Sequence, residues 1–307
     1  MVHRPIGRLL LGAGVMVTLY IAVGSVLVSP AHHVVRPLPR DLVGERLSLP
    51  SGSGAALSAW LVLPPSPRAV VLALHGLRGD RATMVPRARL LIEEGYGVLL
   101  PDLQAHGEST GDRITFGFLE ARDAEACLSY LETRFPKTPL GAIGVSMGGA
   151  ALALAAPRIH LDAVVLESAY PTIDEAVYDR ISERVGKPAS RLLTPLLLLQ
   201  LRPQLGITAA DLRPIDGVKD FHCPVLILAG TADTYTTVAE SRRIFAAASA
   251  PKAEWLVPGA RHVDLLRHDR PGYIAHVLPF LRDAFAKRLL SGHKAALLGS
   301  PSDSPRS

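Results

Sequence analysis

Residues 139–156 read PLGAIGVSMGGAALALAA, and this stretch is the strongest indication of the chain's architecture. Pro139–Val145 is an apolar run typical of a buried strand, and Met147–Ala156 is small and apolar on nearly every face, as in a buried helix. Glycines two positions before and after Ser146 complete the pattern Gly-x-Ser-x-Gly and remove side chains that would obstruct a sharp turn. The stretch therefore predicts a strand, a tight turn and a helix, with the hydroxyl of Ser146 projecting above the sheet edge.

Strand-like and helical segments alternate on both sides of this turn. Thr83–Glu94, Val238–Ala247 and Tyr273–Leu289 are predicted helices, the last with an apolar stripe at helical spacing. Two early strands followed by strand–helix alternation predict an α/β fold, in which a mostly parallel central sheet has helices on both faces. The other predicted strands are Glu45–Leu49, Ala56–Leu63, Arg68–Leu74, Gly97–Leu100, Leu161–Leu166, Val225–Ala229 and Glu254–Val257.

Two loops that follow late strands carry an acid and a histidine. Val225–Ala229 leads into Asp233, and Glu254–Val257 leads into His262. Because the carboxyl ends of parallel strands meet at one edge of a sheet, we expect both side chains beside Ser146. A serine hydroxyl becomes a nucleophile when a base takes its proton. His262 is the predicted base and later acid, and Asp233 is predicted to hold its tautomer and stabilise the imidazolium.

Other histidines and acids lie near these positions in the sequence. His222 precedes a strand, and His268 lies several residues beyond the loop. Asp264 could partner His262, but a residue two positions away more commonly caps the following turn or helix. Glu167 ends a preceding strand, which is a less common place for the acid. The positions at the strand ends favour the pair named above.

The developing negative charge on the substrate oxygen needs hydrogen-bond donors. The backbone N–H of Met147, directly after the nucleophile, is one predicted donor, and that of Leu77, in the loop after an earlier strand, is the other. His75 begins the same loop and is predicted to orient it. His106 follows another strand and is predicted to be a loop residue without a catalytic role.

From Glu45 to Leu290 the chain resembles the α/β-hydrolase superfamily. The motifs that carry the resemblance are HGLRG at 75–79, DLQAHGES at 102–109, GVSMGG at 144–149, PVLILAGTAD at 224–233 and GARH at 259–262. It looks most like the compact esterase, thioesterase and serine-aminopeptidase-like branch, some of whose members carry an N-terminal membrane segment. Gln104-Ala105 departs from the Arg-Gly of many relatives. The resemblance implies hydrolysis of an ester, thioester or amide without a metal or organic cofactor.

The predicted activity is therefore that of a serine hydrolase. We expect it to cleave carboxylic esters or thioesters, with acyl or lipid substrates, through a Ser-Asp-His triad and an acyl-enzyme intermediate. A serine peptidase or an acyltransferase using the same three residues stays open. A non-catalytic binding protein of this fold is the remaining alternative, and it is disfavoured because all three residues are present.

The first thirty residues predict a membrane anchor. Leu9–Val28 has twenty residues without a charge, enough for a helix to cross a bilayer core. A cleaved signal peptide is the alternative, but its apolar stretch is usually shorter, about 7–15 residues. Arg4 and Arg8 precede the segment and favour a cytoplasmic N-terminus, so we expect the catalytic domain outside the cytoplasm.

The rest of the chain divides into a tether at 31–43, the hydrolase domain at 44–290 and a disordered tail at 291–307. An insertion at about 171–217 is too long for a plain crossover and is predicted to form a helical cap. Ser190–Leu201, the second of its two predicted helices, is rich in leucine. These leucines either pack against the core or form an apolar cap near the bilayer that admits acyl chains.

Composition excludes several other classes of protein. Of the 307 residues, 48% are hydrophobic and 20% are charged, which argues against a disordered chain. The net charge of +5 comes without a dense basic block interleaved with aromatics, so nucleic-acid binding has little support. Cys127 and Cys223 lack the spacing of a metal site and are predicted to be two buried thiols, with one disulfide as the alternative.

Overall fold

The structure is a computed structural model that describes residues 18–249 and 251–298. Its strands are β1 (Ala31–His32), β2 (Gly44–Pro50), β3 (Ala56–Val62), β4 (Val70–Leu74), β5 (Gly97–Pro101), β6 (His106–Gly107), β7 (Leu140–Val145), β8 (Ala163–Glu167), β9 (Val225–Gly230) and β10 (Lys252–Val257). Its α-helices are α1 (18–28), α2 (Val85–Glu93), α3 (Phe118–Arg134), α4 (Met147–Ala155), α5 (Ile173–Val185), α6 (Lys187–Leu198), α7 (Leu201–Leu205), α8 (Pro214–Val218), α9 (Val238–Ala247), α10 (Leu265–His268) and α11 (Arg270–Leu298).

Eight of these strands form one sheet in the order β10-β9-β8-β7-β4-β5-β3-β2. β3 runs antiparallel to both of its neighbours, β2 and β5, and all neighbouring strands from β5 to β10 are parallel. The chain moves outward from β4 to β5 and then returns to the other side of β4 to form β7. Ligands bind in such sheets beyond the carboxyl ends of the strands where the order reverses, which here is between β4 and β7.

Side chains of the buried strands alternate between two hydrophobic cores, one on each face of the sheet. Leu72 of β4 packs in the core under α3, α4 and α9, and its neighbour Val71 packs in the core under α2 and α11. The predicted α/β architecture, a mostly parallel sheet with helices on both faces, is confirmed.

The segment predicted as a tether packs on the domain. β1 pairs in parallel with β6, and Val35 and Leu42 are buried against the core under α2. The prediction was wrong at 31–43 because a segment rich in Pro, His and Arg still holds enough apolar side chains to cover the edge of the domain.

The last helix also differs from the prediction. It continues past Leu289 to Leu298, so the predicted tail is helical over its first eight residues. Residues 293–298 read HKAALL, and the strong helix formers Lys, Ala and Leu dominate this stretch. Residues 299–307 lie outside the described residues.

The insertion predicted at 171–217 contributes α5, α6, α7 and α8. Its inner face packs over α4, where Ile173 and Leu212 share a small hydrophobic core with Ala150. Its outer face exposes Leu192 and Leu199 of the leucine-rich segment. Leu201 of this segment packs in the small core, which is the first of the two roles that the sequence left open, and a cap near a bilayer stays a prediction.

The helix α1 lies against this insertion. The hydroxyl of Tyr20 donates to the carbonyl of Leu196 at 2.6 Å, and the amide of Gln200 donates to the carbonyl of Tyr20 at 3.0 Å. At the other end of α1, the guanidinium of Arg78 donates to the carbonyl of Val26 at 2.8 Å. A cation suits the C-terminal end of a helix because the last carbonyl groups there lack partners within the helix.

The predicted membrane anchor falls only partly within this description. Residues 9–17 lie outside the described residues, and residues 18–28 form α1. Over 18–249 and 251–298, no helix has the length and apolar character needed to cross a bilayer.

Charged groups fasten the insertion to the rest of the domain. Glu175 forms an ion pair with Arg243 of α9, and Glu183 pairs with Arg261 at 2.9 Å. Between these ion pairs, Glu240 of α9 faces Asp179 of α5. Burial, together with the carboxyl group of Asp179, raises the pKa of Glu240 from its ordinary value of 4.5 to about 7.

This raised pKa predicts that stability falls as pH increases. Between about pH 4.5 and 7 the folded chain holds the Glu240 proton and the unfolded chain does not, so stability present below that window is lost as pH rises through it. Replacing Glu240 with Gln should keep a neutral donor beside Asp179 at all pH values. We expect thermal denaturation at pH 5 and pH 8 to show a smaller decrease of Tm for Glu240→Gln than for wild type, by about 2–4 °C.

The control for this experiment is Glu132→Gln, at an exposed position on α3. It should follow the wild-type change of Tm with pH. If Tm decreased with pH by the same amount in wild type and in Glu240→Gln, the pH dependence could not be assigned to the carboxyl pair of Glu240 and Asp179.

Candidate active site

Ser146 lies at the turn between β7 and α4 with φ of 50° and ψ of −110°, a conformation that non-glycine residues rarely adopt. The flanking glycines make this turn possible. A Cβ on Gly144 would lie 2.6 Å from the carbonyl oxygen of Gly148, and one on Gly148 would lie 2.6 Å from that of Leu74. The motif glycines are therefore required by close backbone contacts around Ser146.

Ser146 ends a chain of hydrogen bonds that runs through His262 to Asp233. The Nε2 atom of His262 lies 3.1 Å from Oγ of Ser146, and its Nδ1 atom lies 2.8 Å from Oδ2 of Asp233. The second carboxylate oxygen of Asp233 accepts the backbone N–H groups of Tyr235 and Thr236 at 2.8 and 2.9 Å. An acceptor-only carboxylate thus faces Nδ1, which leaves Nε2 to accept the serine proton.

The sheet explains why these three side chains meet. Asp233 follows β9 and His262 follows β10, two neighbouring parallel strands, and Ser146 follows β7 on the same edge. Asp233 is fully buried at its side chain, whereas His262 keeps 20% of its side-chain exposure. The histidine can therefore exchange protons with a bound molecule while the acid stays fixed.

The rival residues have other partners. His268 contacts the carbonyl of Pro258 at 3.1 Å. Asp264 accepts a hydrogen bond from Arg87 at 3.0 Å and caps α10, the role predicted for it. Glu167 pairs with Arg87, and His222 lies exposed just before β9.

A buried ion pair lies directly behind the site. Arg87 donates through Nε and Nη2 to the two carboxylate oxygens of Glu167 at 2.9 and 2.6 Å, and the hydroxyl of Tyr273 adds a bond of 2.6 Å. Arg87 and Glu167 are nearly inaccessible to solvent, with side-chain exposures of 2% and 1%. The sequence signal was a glutamate at the end of a buried apolar strand, a position that requires a partner.

The two predicted oxyanion donors border the same space as Ser146. Met147 is the first residue of α4, where backbone N–H groups have no acceptor within the helix. Leu77 follows β4, in the loop beside Ser146. Their use as donors to a substrate oxygen stays a prediction.

His75 positions the loop that carries Leu77. Its Nδ1 donates to the carbonyl of Gly76 at 2.8 Å, and its Nε2 accepts the backbone N–H of Leu103 at 3.0 Å. Burial lowers the pKa of His75 to about 3, so the imidazole is neutral and holds both bonds. The predicted orienting role is confirmed by these contacts.

The DLQAHGES stretch is likewise structural. Asp102 forms a buried ion pair with Arg81, whose guanidinium also pairs with Glu108 and stacks over the ring of Trp60 at 4.5 Å. His106 is fully buried with Nδ1 bonded to the carbonyl of Gln104 at 2.8 Å. These contacts stabilise the loop next to the site, and in the described structure none of its side chains bonds to Ser146.

Two cavities meet at Ser146. An apolar cavity of about 310 Å³ runs under the insertion, and a more polar pocket of about 390 Å³ lies on the side of His262. The apolar cavity is lined chiefly by Val23, Leu27, Phe116, Ile173, Val177, Ile181, Leu193 and Leu197, with Leu77 and Met147 at its inner end. The polar pocket includes Arg87, Ser168, Arg180, Tyr235, His262 and Asp264.

In the described part of the chain, no three His, Cys, Asp or Glu side chains are grouped so as to hold a metal ion. Cys127 and Cys223 are both buried free thiols, as predicted.

The chain is similar to known proteins in both sequence and fold. The family model described as serine aminopeptidase, S33, matches residues 65–211. The uncharacterized protein Rv2307c of Mycobacterium tuberculosis is 31% identical over 76% of each chain. The uncharacterized protein YqkD of Bacillus subtilis is 24% identical over 89% of this chain and 97% of its own length.

Among solved structures, the Pyrococcus furiosus esterase Pf2001 superposes with a TM-score of 0.70 at 22% identity, covering 84% of this chain and 98% of the esterase. At that identity the likeness shows a shared fold. By sequence, the chain belongs to the same family as Rv2307c. It has the α/β-hydrolase fold, and residues 65–211 match the serine aminopeptidase S33 family model.

Proposed function

We propose that this protein is a serine hydrolase that cleaves carboxylic esters or thioesters of apolar acyl chains. The observation that carries the proposal is the hydrogen-bonded chain from Ser146 through His262 to Asp233 at the junction of two cavities. A nucleophile, a base and an orienting acid in this order are the components of acyl transfer through a covalent intermediate.

The reaction would proceed in two halves. Oγ of Ser146 attacks the carbonyl carbon while its proton passes to Nε2 of His262. The bond from that carbon to the leaving oxygen or sulfur then breaks, and His262 gives its proton to the leaving atom. Water repeats the attack on the acyl-enzyme, which releases the carboxylic acid and returns the proton to Ser146. The N–H groups of Leu77 and Met147 would stabilise the oxyanion in both halves.

The two cavities orient the substrate. The leaving group must lie where His262 can protonate it, so the alcohol or thiol part belongs in the polar pocket that His262 lines. The acyl chain then extends into the apolar cavity, which is walled by the insertion and by Val23 and Leu27 of α1. Because α1 continues the predicted anchor, our proposal places this cavity beside a bilayer that supplies acyl substrates.

Labelling with a fluorophosphonate tests the nucleophile, and a series of p-nitrophenyl esters tests the acyl cavity. We expect wild type to label and Ser146→Ala not to label, and we expect kcat/KM to rise from acetate to octanoate because each buried methylene contributes about 0.8 kcal/mol. Ser249→Ala serves as the matched serine control, because Ser249 is exposed and its hydroxyl donates to the carbonyl of Lys219 at 2.9 Å. If Ser146→Ala labelled as strongly as wild type, the assignment of Ser146 as nucleophile would be wrong. A strict preference for short charged esters would contradict the proposed acyl cavity.

A further inference from the structure

Three charged side chains line the polar pocket beside Ser146: Arg87, Asp264 and Arg180. Two of them are already paired. Arg87 forms ion pairs with both Glu167 and Asp264, so its positive charge is fully compensated by these two carboxylates. Arg180, which projects from α5 of the insertion, is the remaining charge and lines both the polar pocket and the apolar cavity.

Arg180 lacks an acidic partner at contact distance. Within the described residues, no carboxylate oxygen lies within 4 Å of its guanidinium nitrogens. Its observed contacts are a 2.8 Å bond to the carbonyl of Ala176 on its own helix and the ring of Tyr235, whose centre lies 5.1 Å from the guanidinium carbon. These contacts use only part of a group with five N–H donors.

The surroundings of Arg180 make this incomplete pairing costly. Burial lowers the pKa of its guanidinium, and the negative charges of Asp233 and Asp179, which lie beyond ion-pair distance, oppose that shift only in part. An arginine remains protonated in proteins, so a partly buried positive charge persists here at neutral pH. A bound anion would provide the counter-charge that the protein does not supply at contact distance.

A second unmatched group lies in the same pocket. Ser168 lines it, and its hydroxyl is buried with no hydrogen-bond partner in the described structure. Its backbone is fixed, since its N–H donates to Leu228 at 2.8 Å and its carbonyl accepts from Thr236 at 3.3 Å. A buried hydroxyl without a partner is uncommon and is often completed by a ligand or a water molecule.

We propose that the polar pocket binds an oxyanion on the alcohol part of the substrate, with Arg180 as the specificity-determining residue and Ser168 as an additional donor. This inference rests on the proposed function, because the pocket receives the alcohol part only if His262 protonates the leaving group. The substrate is then an ester with an apolar acyl chain on one side of the scissile bond and a carboxylate or phosphate on the other. A planar guanidinium suits either anion.

Matched ester pairs test the proposal. The first pair is 4-(octanoyloxy)benzoate and its neutral methyl ester, and the second is 1-octanoylglycerol 3-phosphate and 1-octanoylglycerol. Replacing Arg180 with Gln should lower kcat/KM for the preferred anionic ester by about 10- to 150-fold, the range for hydrogen bonds to a charged group, and leave its neutral match nearly unchanged. Arg180→Lys should retain part of the selectivity. A larger loss of selectivity in Arg180→Gln on the benzoate pair indicates a carboxylate ligand, and a larger loss on the glycerol phosphate pair indicates a phosphate ligand.

The control is Arg191→Gln, an exposed arginine on α6 of the same insertion and outside both cavities. It should keep the wild-type rates on all four esters. Equal losses on charged and neutral esters in Arg180→Gln would overturn the anion site and indicate an effect on the triad or the fold.

Fluorophosphonate labelling of the same samples separates this inference from the proposed function. A wild-type protein that neither labels at Ser146 nor hydrolyses any of the esters would overturn the proposed function. If wild type labels at Ser146 and Arg180→Gln keeps the wild-type preference between anionic and neutral esters, the anion site alone would be overturned. If 4-hydroxybenzoate protects wild type from the fluorophosphonate but does not protect Arg180→Gln, the result would support the site even where turnover is slow.

Discussion

Replacing His262 with Ala should reduce kcat for ester hydrolysis by roughly four to six orders of magnitude. His262 is placed to take the proton of Ser146 across 3.1 Å and then to pass it to the leaving group, so its removal disables both halves of the reaction. Because Ser146 and His262 would act as one unit, Ser146→Ala combined with His262→Ala should lose no more activity than either change alone. Rates with p-nitrophenyl octanoate, measured on folded protein, provide the test.

His268→Ala is the matched control for this prediction. His268 lies six positions further along, and its Nε2 atom bonds to the carbonyl of Pro258 at 3.1 Å, away from the triad hydrogen bonds of the described structure. We expect kcat close to wild type for this variant. If His268→Ala lost as much activity as His262→Ala, or if the losses at Ser146 and His262 multiplied in the double variant, the proposed roles would be wrong.

The largest effect on stability should come from Arg87→Met. It leaves the carboxylate of Glu167 buried, with the hydroxyl of Tyr273 as its remaining side-chain partner. Breaking a buried ion pair from one side typically lowers the free energy of unfolding by about 3–5 kcal/mol, because an uncompensated charge stays out of water. Urea denaturation followed by circular dichroism should show this decrease.

Arg89, two positions after Arg87 on α2, is the control. It pairs with Asp41 at 2.7 Å, and both side chains are about half exposed. Arg89→Met should change the free energy of unfolding by no more than about 1 kcal/mol. Adding Glu167→Gln to Arg87→Met should recover part of the lost stability, since it removes the unpaired charge. If Arg87→Met and Arg89→Met lowered the free energy of unfolding by similar amounts, burial of the Arg87–Glu167 ion pair would not explain the loss.

The parts of the site that the sequence predicted depend on local patterns. Ser146 was found from a strand, a turn and a helix in one continuous stretch, and Asp233 and His262 from their places at the ends of two strands. Parallel strands bring their carboxyl ends to one edge whatever the detailed packing. Their proximity therefore follows from element order alone.

The remaining features depend on contacts between distant parts of the chain. Arg87 and Glu167 are 80 positions apart, and the sequence marks neither as the partner of the other. Arg180 was one charge among many on a predicted helix, and its lack of an acidic partner appears only once the insertion is packed over the sheet. The segment 31–43 looked polar because composition does not show which few side chains become buried.

The contact between Arg78 and α1 has a practical consequence for anyone who prepares this protein. A chain shortened to begin at residue 29 would lose Val23 and Leu27 from the wall of the apolar cavity. It would also lose the carbonyl of Val26, which holds Arg78 next to Leu77 in the loop beside the nucleophile. Removing the apolar N-terminus to improve handling in water would therefore alter both the fit of the acyl chain and the anchoring of that loop, so activity should be compared with the full-length protein in detergent.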